Sequence, residues 1–401
     1  MKLVRSRILE YWKAHAGPVE AFCWLVFPAT NLLSISAGEV FAVVLFMFWL
    51  SRARHSRHLP GAILPFIILM AWTLVSGIIG DPGRWTDAFG KWPVLFMAVV
   101  AWEWAASGRD IARPLMALFI TAIALVPYEI WSMVATEYAR ARAFSGGAPN
   151  LGSNLMMASV FGAIFLIVSR GKGRKLVAVG LVACLAGLVL SYNRSALLGV
   201  LVALTLAVVP MRPVLVPAAL AAVTFLAAVA PESHFALRFR SVFKPDIQPT
   251  SRERPRLWAS GLRMVRDRPL AGFATRDKFQ EQFNAGYRSP YSEDKGTPGH
   301  VHNSYIQSAV LHGIPGLGLV LWFLAVLWRN IRHSAAGERD GPWEKTAAVA
   351  LAPLFIAVLV NSFFDFVFAD GQRAMMFYTL TGLLLGSISR RPRISPAKKR
   401  G

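Results

Sequence analysis

Apolar windows of about 20 residues, enough to cross a hydrocarbon core as a helix, recur along almost the whole of this chain. That recurrence is the signature of a polytopic helical membrane protein. Composition agrees: 55% of the 401 residues are hydrophobic and only 16% are charged, too few charges for a soluble protein of this length. The expected fold is all-α, with about twelve spans. They are read at 18–34, 37–51, 59–80, 88–106, 111–134, 152–169, 175–191, 195–210, 213–230, 303–328, 346–363 and 372–389. This divides the chain into spans one to nine within 1–230, a polar segment over 231–302, and spans ten to twelve with a basic tail within 303–401.

The net charge of +21 raises nucleic-acid binding as a first reading. Topology explains much of it instead, because cytoplasmic loops collect Lys and Arg. With both termini placed in the cytoplasm, the inner segments hold 24 of the 43 basic residues. No nucleic-acid partner is expected. Cys23 and Cys184 lie in apolar runs without metal-ligand spacing, so neither a disulfide nor a metal site is read from them. The first residues do not read as a cleavable signal.

The remaining basic residues break the topology rule. Thirteen lie between Pro231 and His302, against eight acidic residues, and Arg194, Arg140 and Arg142 map to the same outer side. A positive outer surface points to an anionic ligand there. Arg194 interrupts an apolar run in SYNRSALLG (191–199), and an arginine at mid-membrane costs about 2.5–3.5 kcal/mol on insertion scales. A tight hairpin between the seventh and eighth spans removes that cost by lifting Arg194 to the level of lipid phosphates.

Within 231–302, the run RERPRLWASGLRMVRDRPLAGF (252–273) reads as an amphipathic helix on the membrane surface. Pro255 is the expected first helical residue, with Leu257, Trp258, Leu262 and Val265 on one face and Arg256, Arg263 and Arg266 on the other. An ordinary solvated arginine face is the competing reading of Arg263 and Arg266. The next segment, GHVHNSYIQSAVLHGIPGLG (299–318), carries His300, His302 and Asn303 before the tenth span. His-x-His without a nearby carboxylate is a weak zinc signal. Histidine near neutral pH suits proton transfer, and the planar fork of arginine suits phosphate. Asp365 and Arg373 flank the last outer loop and read as an internal ion pair.

Three of these segments resemble the signature of bacterial O-antigen ligases: His302-Asn303 followed by Gly313-Ile314-Pro315-Gly316, Arg194 followed by Leu198, and RPRLWASGLRMVRDRPLAGF. GGAPNLGSNLM (146–156) resembles a further element of the wider ligase and polymerase superfamily. The resemblance implies a metal-independent inner-membrane glycosyltransferase without a cofactor, its site facing the periplasm. It implies a glycan donor on undecaprenyl diphosphate, a lipid A–core acceptor for a ligase, and a second lipid-linked repeat unit for a polymerase; membrane lipids surround the protein.

The residues then take roles. Arg194 and Arg254 hold the diphosphate, with Arg256 as the alternative to Arg254. Arg254 is expected at a helix N-terminus, where backbone N–H groups add to its pull on phosphate. His302 removes the acceptor proton or, alternatively, hydrogen-bonds the diphosphate. Asn303, Arg142 and Arg263 are further substrate contacts. A transporter is the rival class, but no internal repeat is evident and the charges gather at one face.

Overall fold

The computed structural model describes residues 2–51, 61–83, 86–135, 144, 147–170, 173–208, 249–290, 298–335, 341–368 and 371–389. Among these the chain is helical, without a strand. The helices are α1 (Lys2–Leu33), α2 (Ile35–Leu50), α3 (Ile63–Gly80), α4 (Asp87–Ala106), α5 (Ala112–Ala135), α6 (Ala148–Val168), α7 (Arg174–Leu190) and α8 (Arg194–Val208). After the break come α9 (Pro249–Asp267), α10 (Arg276–Gln282), a π-helical turn (Phe283–Tyr287), α11 (Ser304–Ala335), α12 (Pro342–Phe364) and α13 (Gly371–Ile388). Five of them, α3, α5, α6, α11 and α12, are long and apolar enough to cross a membrane, and three shorter apolar helices lie within α2, α4 and α8. The span expected at 213–230 and residues 231–248 lie outside the described residues.

The bundle is assembled pairwise: α13 on α4, α12 on α8 and α6, α6 on α7, and α11 on α3. In lipid there is no hydrophobic gain between helices, so close approach of small residues takes over. The α4–α13 seam shows this. A Cβ at Gly382 would meet the Ala98 carbonyl and Ala101, and one at Gly386 would meet the Trp102 carbonyl and Ala105.

The long helix α11 is broken at Gly313, where φ is 70° and ψ is −177°. Pro315 has no N–H, so the Leu311 carbonyl loses its helical partner. Four of the backbone groups at the break find partners outside the helix, as burial demands. Phe273 N donates to Val310 O (2.9 Å), Ala274 N to Leu311 O (2.6 Å), and Ile314 N to Pro269 O (2.7 Å). Trp72 Nε1 donates to His312 O at 2.8 Å. The RPLAGF segment after α9 is therefore the complement of the GIPG break. A second, smaller core of Met264, Phe273, Phe279, Phe283, Val301, Val310 and Leu311 sits beneath it. The described part of the polar segment shares this core with the first turns of α11.

Gly313→Ala is expected to be strongly destabilising, because that backbone region is essentially restricted to glycine and a Cβ would run into the Leu270 carbonyl. Gly318→Ala, on the same helix with open space around it, is the control. Melting in detergent should fall by several degrees for the first and stay constant or rise for the second. Equal melting temperatures would mean that the break is not held by this contact.

One local expectation is corrected. The helix carrying Arg254 begins at Pro249, so Pro255 lies inside it and Arg254 is in its second turn, away from the free N–H groups of the terminus. Of the apolar face expected for it, Leu257 and Val265 pack against the second core beside the buried Met264, whereas Leu262 is 58% exposed.

Candidate active site

The residues around His302 are laced to the end of α12. Asn303 caps α11: its Oδ1 accepts from Tyr305 N (2.9 Å) and Ile306 N (3.0 Å), and its Nδ2 donates to Phe363 O (3.0 Å). Ser304 Oγ donates to Asp365 O and accepts from Val367 N, both at 2.8 Å. These bonds bring the Asp365 carboxylate under the two histidines. Its Oδ1 lies 3.5 Å from His302 Nδ1 and 3.8 Å from His300 Nε2. Its Oδ2 lies 2.6 Å from Arg373 Nη1, with both side chains buried.

Burial alone would raise the pKa of Asp365; Arg373, with His302 and His300, overrides it and holds the carboxyl well below the usual range. His300 Nδ1 accepts from His302 N at 3.1 Å, so the proton of a neutral His300 sits on Nε2, toward Asp365. His302 has φ 54°, a left-handed conformation uncommon outside glycine. With Nδ1 turned to the carboxylate, its Nε2 is left for a ligand, and its side chain is 38% exposed. The 3.5 Å contact is longer than a hydrogen bond, as catalytic pairs without substrate often are.

Arg254 approaches the same carboxylate. Burial lowers its pKa, and the negative charge of Asp365 acts in the opposite direction. Among the described residues no hydrogen bond or ion pair occupies its guanidinium. Arg256 differs: its Nη1 is 2.7 Å from Glu253 Oε1, a pair within the helix. Arg263 braces the segment, donating from Nη2 to Tyr287 O (2.9 Å) and Ser260 Oγ (3.2 Å).

Arg194 is the first residue of α8, at the tip of the α7–α8 hairpin. Asn193 builds that tip. Its Oδ1 accepts from Ser195 Oγ (2.8 Å) and Ala196 N (3.2 Å), and its Nδ2 donates to Pro149 O (2.9 Å) and Ser153 Oγ (3.4 Å). Ser153 Oγ also accepts from Asn361 Nδ2 at 2.9 Å, one turn before Asp365 on α12. The hairpin, the start of α6 and the end of α12 thus meet at the same end of the bundle as His302. GGAPNLGSNLM has a physical role here: it seats the hairpin.

The geometry sorts the expected site residues. His302 lies against Asp365, Arg254 lies within the field of that carboxylate, and Arg194 stands at the same end. Asn303 caps α11, with both ends of its amide spent on backbone. Arg263 is likewise engaged as a brace, and Arg142 lies outside the described residues. Asp365 was read only as the partner of Arg373; that pair exists, but the carboxylate also faces both histidines. Its distance in sequence left no spacing signal.

The ligand atoms of His300, His302 and Asp365 lie within 4.8 Å of one another, close enough to hold a cation. Arg373 already neutralises that carboxylate and Arg254 adds a second positive field, so a dication would have to bind against two guanidinium charges. The residues fit a charge-compensated carboxylate–histidine pair better than a metal centre.

The fold and site define a membrane protein with a His–Asp pair and arginines gathered at one end of a helical bundle. Residues 179–323 match the family model described as O-Antigen ligase, a stretch that includes Arg194, Arg254 and His302. The match supports a member of the O-antigen ligase superfamily, whose members are membrane glycosyltransferase-like ligases and polymerases. No individual curated protein matches it. Asp365 and Arg373 fall beyond the matched stretch.

Proposed function

We propose that this protein is an O-antigen ligase-like glycosyltransferase of the bacterial inner membrane. It has about twelve spans, both termini in the cytoplasm and its site at the periplasmic face. The donor is a glycan on undecaprenyl diphosphate, and the acceptor is a hydroxyl of the lipid A–core oligosaccharide. The observation that carries this reading is Arg254, an unengaged guanidinium among the described residues, beside the His302–Asp365 pair.

The acceptor oxygen attacks the anomeric carbon as the bond from that carbon to the diphosphate oxygen breaks. Arg254 and Arg194 stabilise the charge that grows on the diphosphate. His302 Nε2 takes the acceptor proton, and Asp365 stabilises the imidazolium and holds the ring through Nδ1, as in other carboxylate–histidine pairs. A single displacement inverts the anomeric centre. A polymerase would use the same groups with a lipid-linked glycan as acceptor.

The test is transfer by the purified protein from undecaprenyl-diphosphate glycan to lipid A–core, read on a lipopolysaccharide gel. Arg254→Ala should lower the rate by about 10²–10³-fold, the usual effect of removing one stabilising donor. Arg194→Lys should retain more activity than Arg194→Ala, since an ammonium keeps charge but not the fork. Undiminished rates in Arg254→Ala and Arg194→Ala would overturn the proposed roles. Product formed only on a second lipid-linked glycan would assign the polymerase reaction.

A further inference from the structure

We infer that Arg276 forms a second oxyanion subsite beside the candidate active site, and that it holds a phosphate or carboxylate carried by the sugar chain of the acceptor. This rests on the glycosyltransferase reading above and concerns how that site recognises its acceptor. The observation behind it is a close approach at Gly299, the residue before His300. A Cβ there would overlap Arg276 Nη2 and lie 3.1 Å from Arg276 Cζ. The backbone of Gly299 is not left-handed, so no dihedral demand accounts for a glycine at this position. The missing side chain provides room instead, and the Arg276 guanidinium lies against the backbone that leads into the two histidines.

The start of α10 is held in place on two sides. Thr275 Oγ1 donates to Asp81 Oδ2 (2.5 Å) at the end of α3 and accepts from Lys278 N (3.2 Å). Phe279 is buried in the second core, and Gln280 Nε2 donates to Pro298 O (3.4 Å), which ties α10 to the histidine segment. The guanidinium itself is available. Arg276 is exposed, and among the described residues no hydrogen bond or ion pair occupies its side chain. The acidic residues of α10 have other partners: Glu281 pairs with Lys278, and Asp277 is engaged elsewhere. A planar fork in that state offers two parallel donors to an oxyanion.

The two ends of segment 298–302 meet different arginine-bearing helices. Trp258 of α9 donates from Nε1 to His302 O at 3.4 Å, and Arg254 belongs to that helix. Arg276 of α10 meets the other end, at Gly299. In a displacement at the anomeric carbon, the leaving diphosphate and the attacking oxygen stand on opposite sides of that carbon. With the diphosphate on Arg254 and Arg194, the acceptor falls toward Arg276. Three residues of chain span at most about 10 Å, so an oxyanion on Arg276 is close enough to belong to the same oligosaccharide as the hydroxyl at His302 Nε2. His300 does not compete for such a ligand, because its Nδ1 accepts from His302 N and its Nε2 faces Asp365. A merely solvated arginine is the competing reading, and it leaves the glycine at 299 without a reason.

The experiment measures steady-state transfer by the purified full-length protein from undecaprenyl-diphosphate glycan to lipid A–core. The acceptor is used intact, after phosphatase treatment, and after carbodiimide amidation of its carboxylates. Arg276→Ala should raise KM for the intact acceptor about 10–100-fold, the usual worth of hydrogen bonds to a charged group, and leave kcat and the donor KM within about twofold. Arg276→Lys should recover part of the loss. Gly299→Ala should reproduce it, since the new methyl displaces the end of a flexible side chain and not backbone. Both alanine variants should melt with the wild type. One of the two treated acceptors should carry the same penalty with the wild type and no further penalty with Arg276→Ala, which identifies the group as phosphate or carboxylate. An unchanged acceptor KM in either alanine variant, an equal rise in the donor KM, or a penalty that persists on both treated acceptors overturns the subsite and leaves the proposed function standing. Wild-type protein that transfers to no acceptor overturns both.

Discussion

Asp365→Asn is expected to abolish transfer and to destabilise the protein by about 3–5 kcal/mol, the usual cost of removing one partner of a buried ion pair. The side chain is buried against Arg373 at 2.6 Å, so the mutation strips that guanidinium of its carboxylate where water cannot replace it. Loss of activity alone would not separate a positioning role from a failed fold. The double variant Asp365→Asn/Arg373→Met does, because it removes both charges. Its melting temperature should recover most of the loss, since an apolar replacement of a buried pair is often tolerated. Its transfer rate should not recover, because His302 still lacks the carboxylate at Nδ1. Recovery of both would reduce Asp365 to an ion-pair partner.

The pH dependence has a definite sign. The folded carboxyl is held below its unfolded value of about 3.9. Its contribution to stability is complete above that value and is lost as the pH falls through the lower, folded one. The carboxyl's own titration should therefore leave the Asp365→Asn deficit intact from neutral pH down to about pH 5, and shrink it only in stronger acid.

His302→Asn is expected to lower transfer by about 10²–10⁴-fold, the range ascribed to a general base, while leaving the fold as stable as before. Asparagine is chosen because His302 has φ 54°, and asparagine tolerates the left-handed region better than most residues. Alanine at the same place would mix strain with lost chemistry. Donor binding, measured with undecaprenyl diphosphate alone, should be nearly unchanged if His302 acts on the acceptor proton. A binding loss as large as the rate loss would transfer His302 to the alternative role of diphosphate ligand.

The fold was legible in the sequence where a single helix decides. The spans read at 88–106, 175–191, 346–363 and 372–389 match α4, α7, α12 and α13 to within a few residues, because length and hydropathy are local properties. The hairpin at Arg194 was legible too, since a charge between two apolar runs has one inexpensive position. The start of α9 was not. Proline at a first helical position is common, but here the helix begins one and a half turns earlier, at Pro249.

The candidate site was legible as residue types and only partly as an arrangement. His302, Arg254 and Arg194 stood out because charged groups near membrane spans are costly and rarely idle. Asn303 stood out for the same motif and proved to be a cap, a role that depends on which backbone N–H groups lie above it. Asp365 is 63 residues from His302, and no periodicity links them; the hydrogen bonds of Asn303 and Ser304 to the end of α12 make them neighbours. By itself the sequence determined that the chain is helical and membrane-embedded, and which side chains are available for phosphate and proton chemistry, because burial of apolar length and the cost of a charge in lipid act residue by residue. Only the tertiary structure decided which carboxylate faces His302 and that Arg254, among the described residues, keeps its guanidinium out of any ion pair, because those depend on helix packing and on partners far apart in the chain.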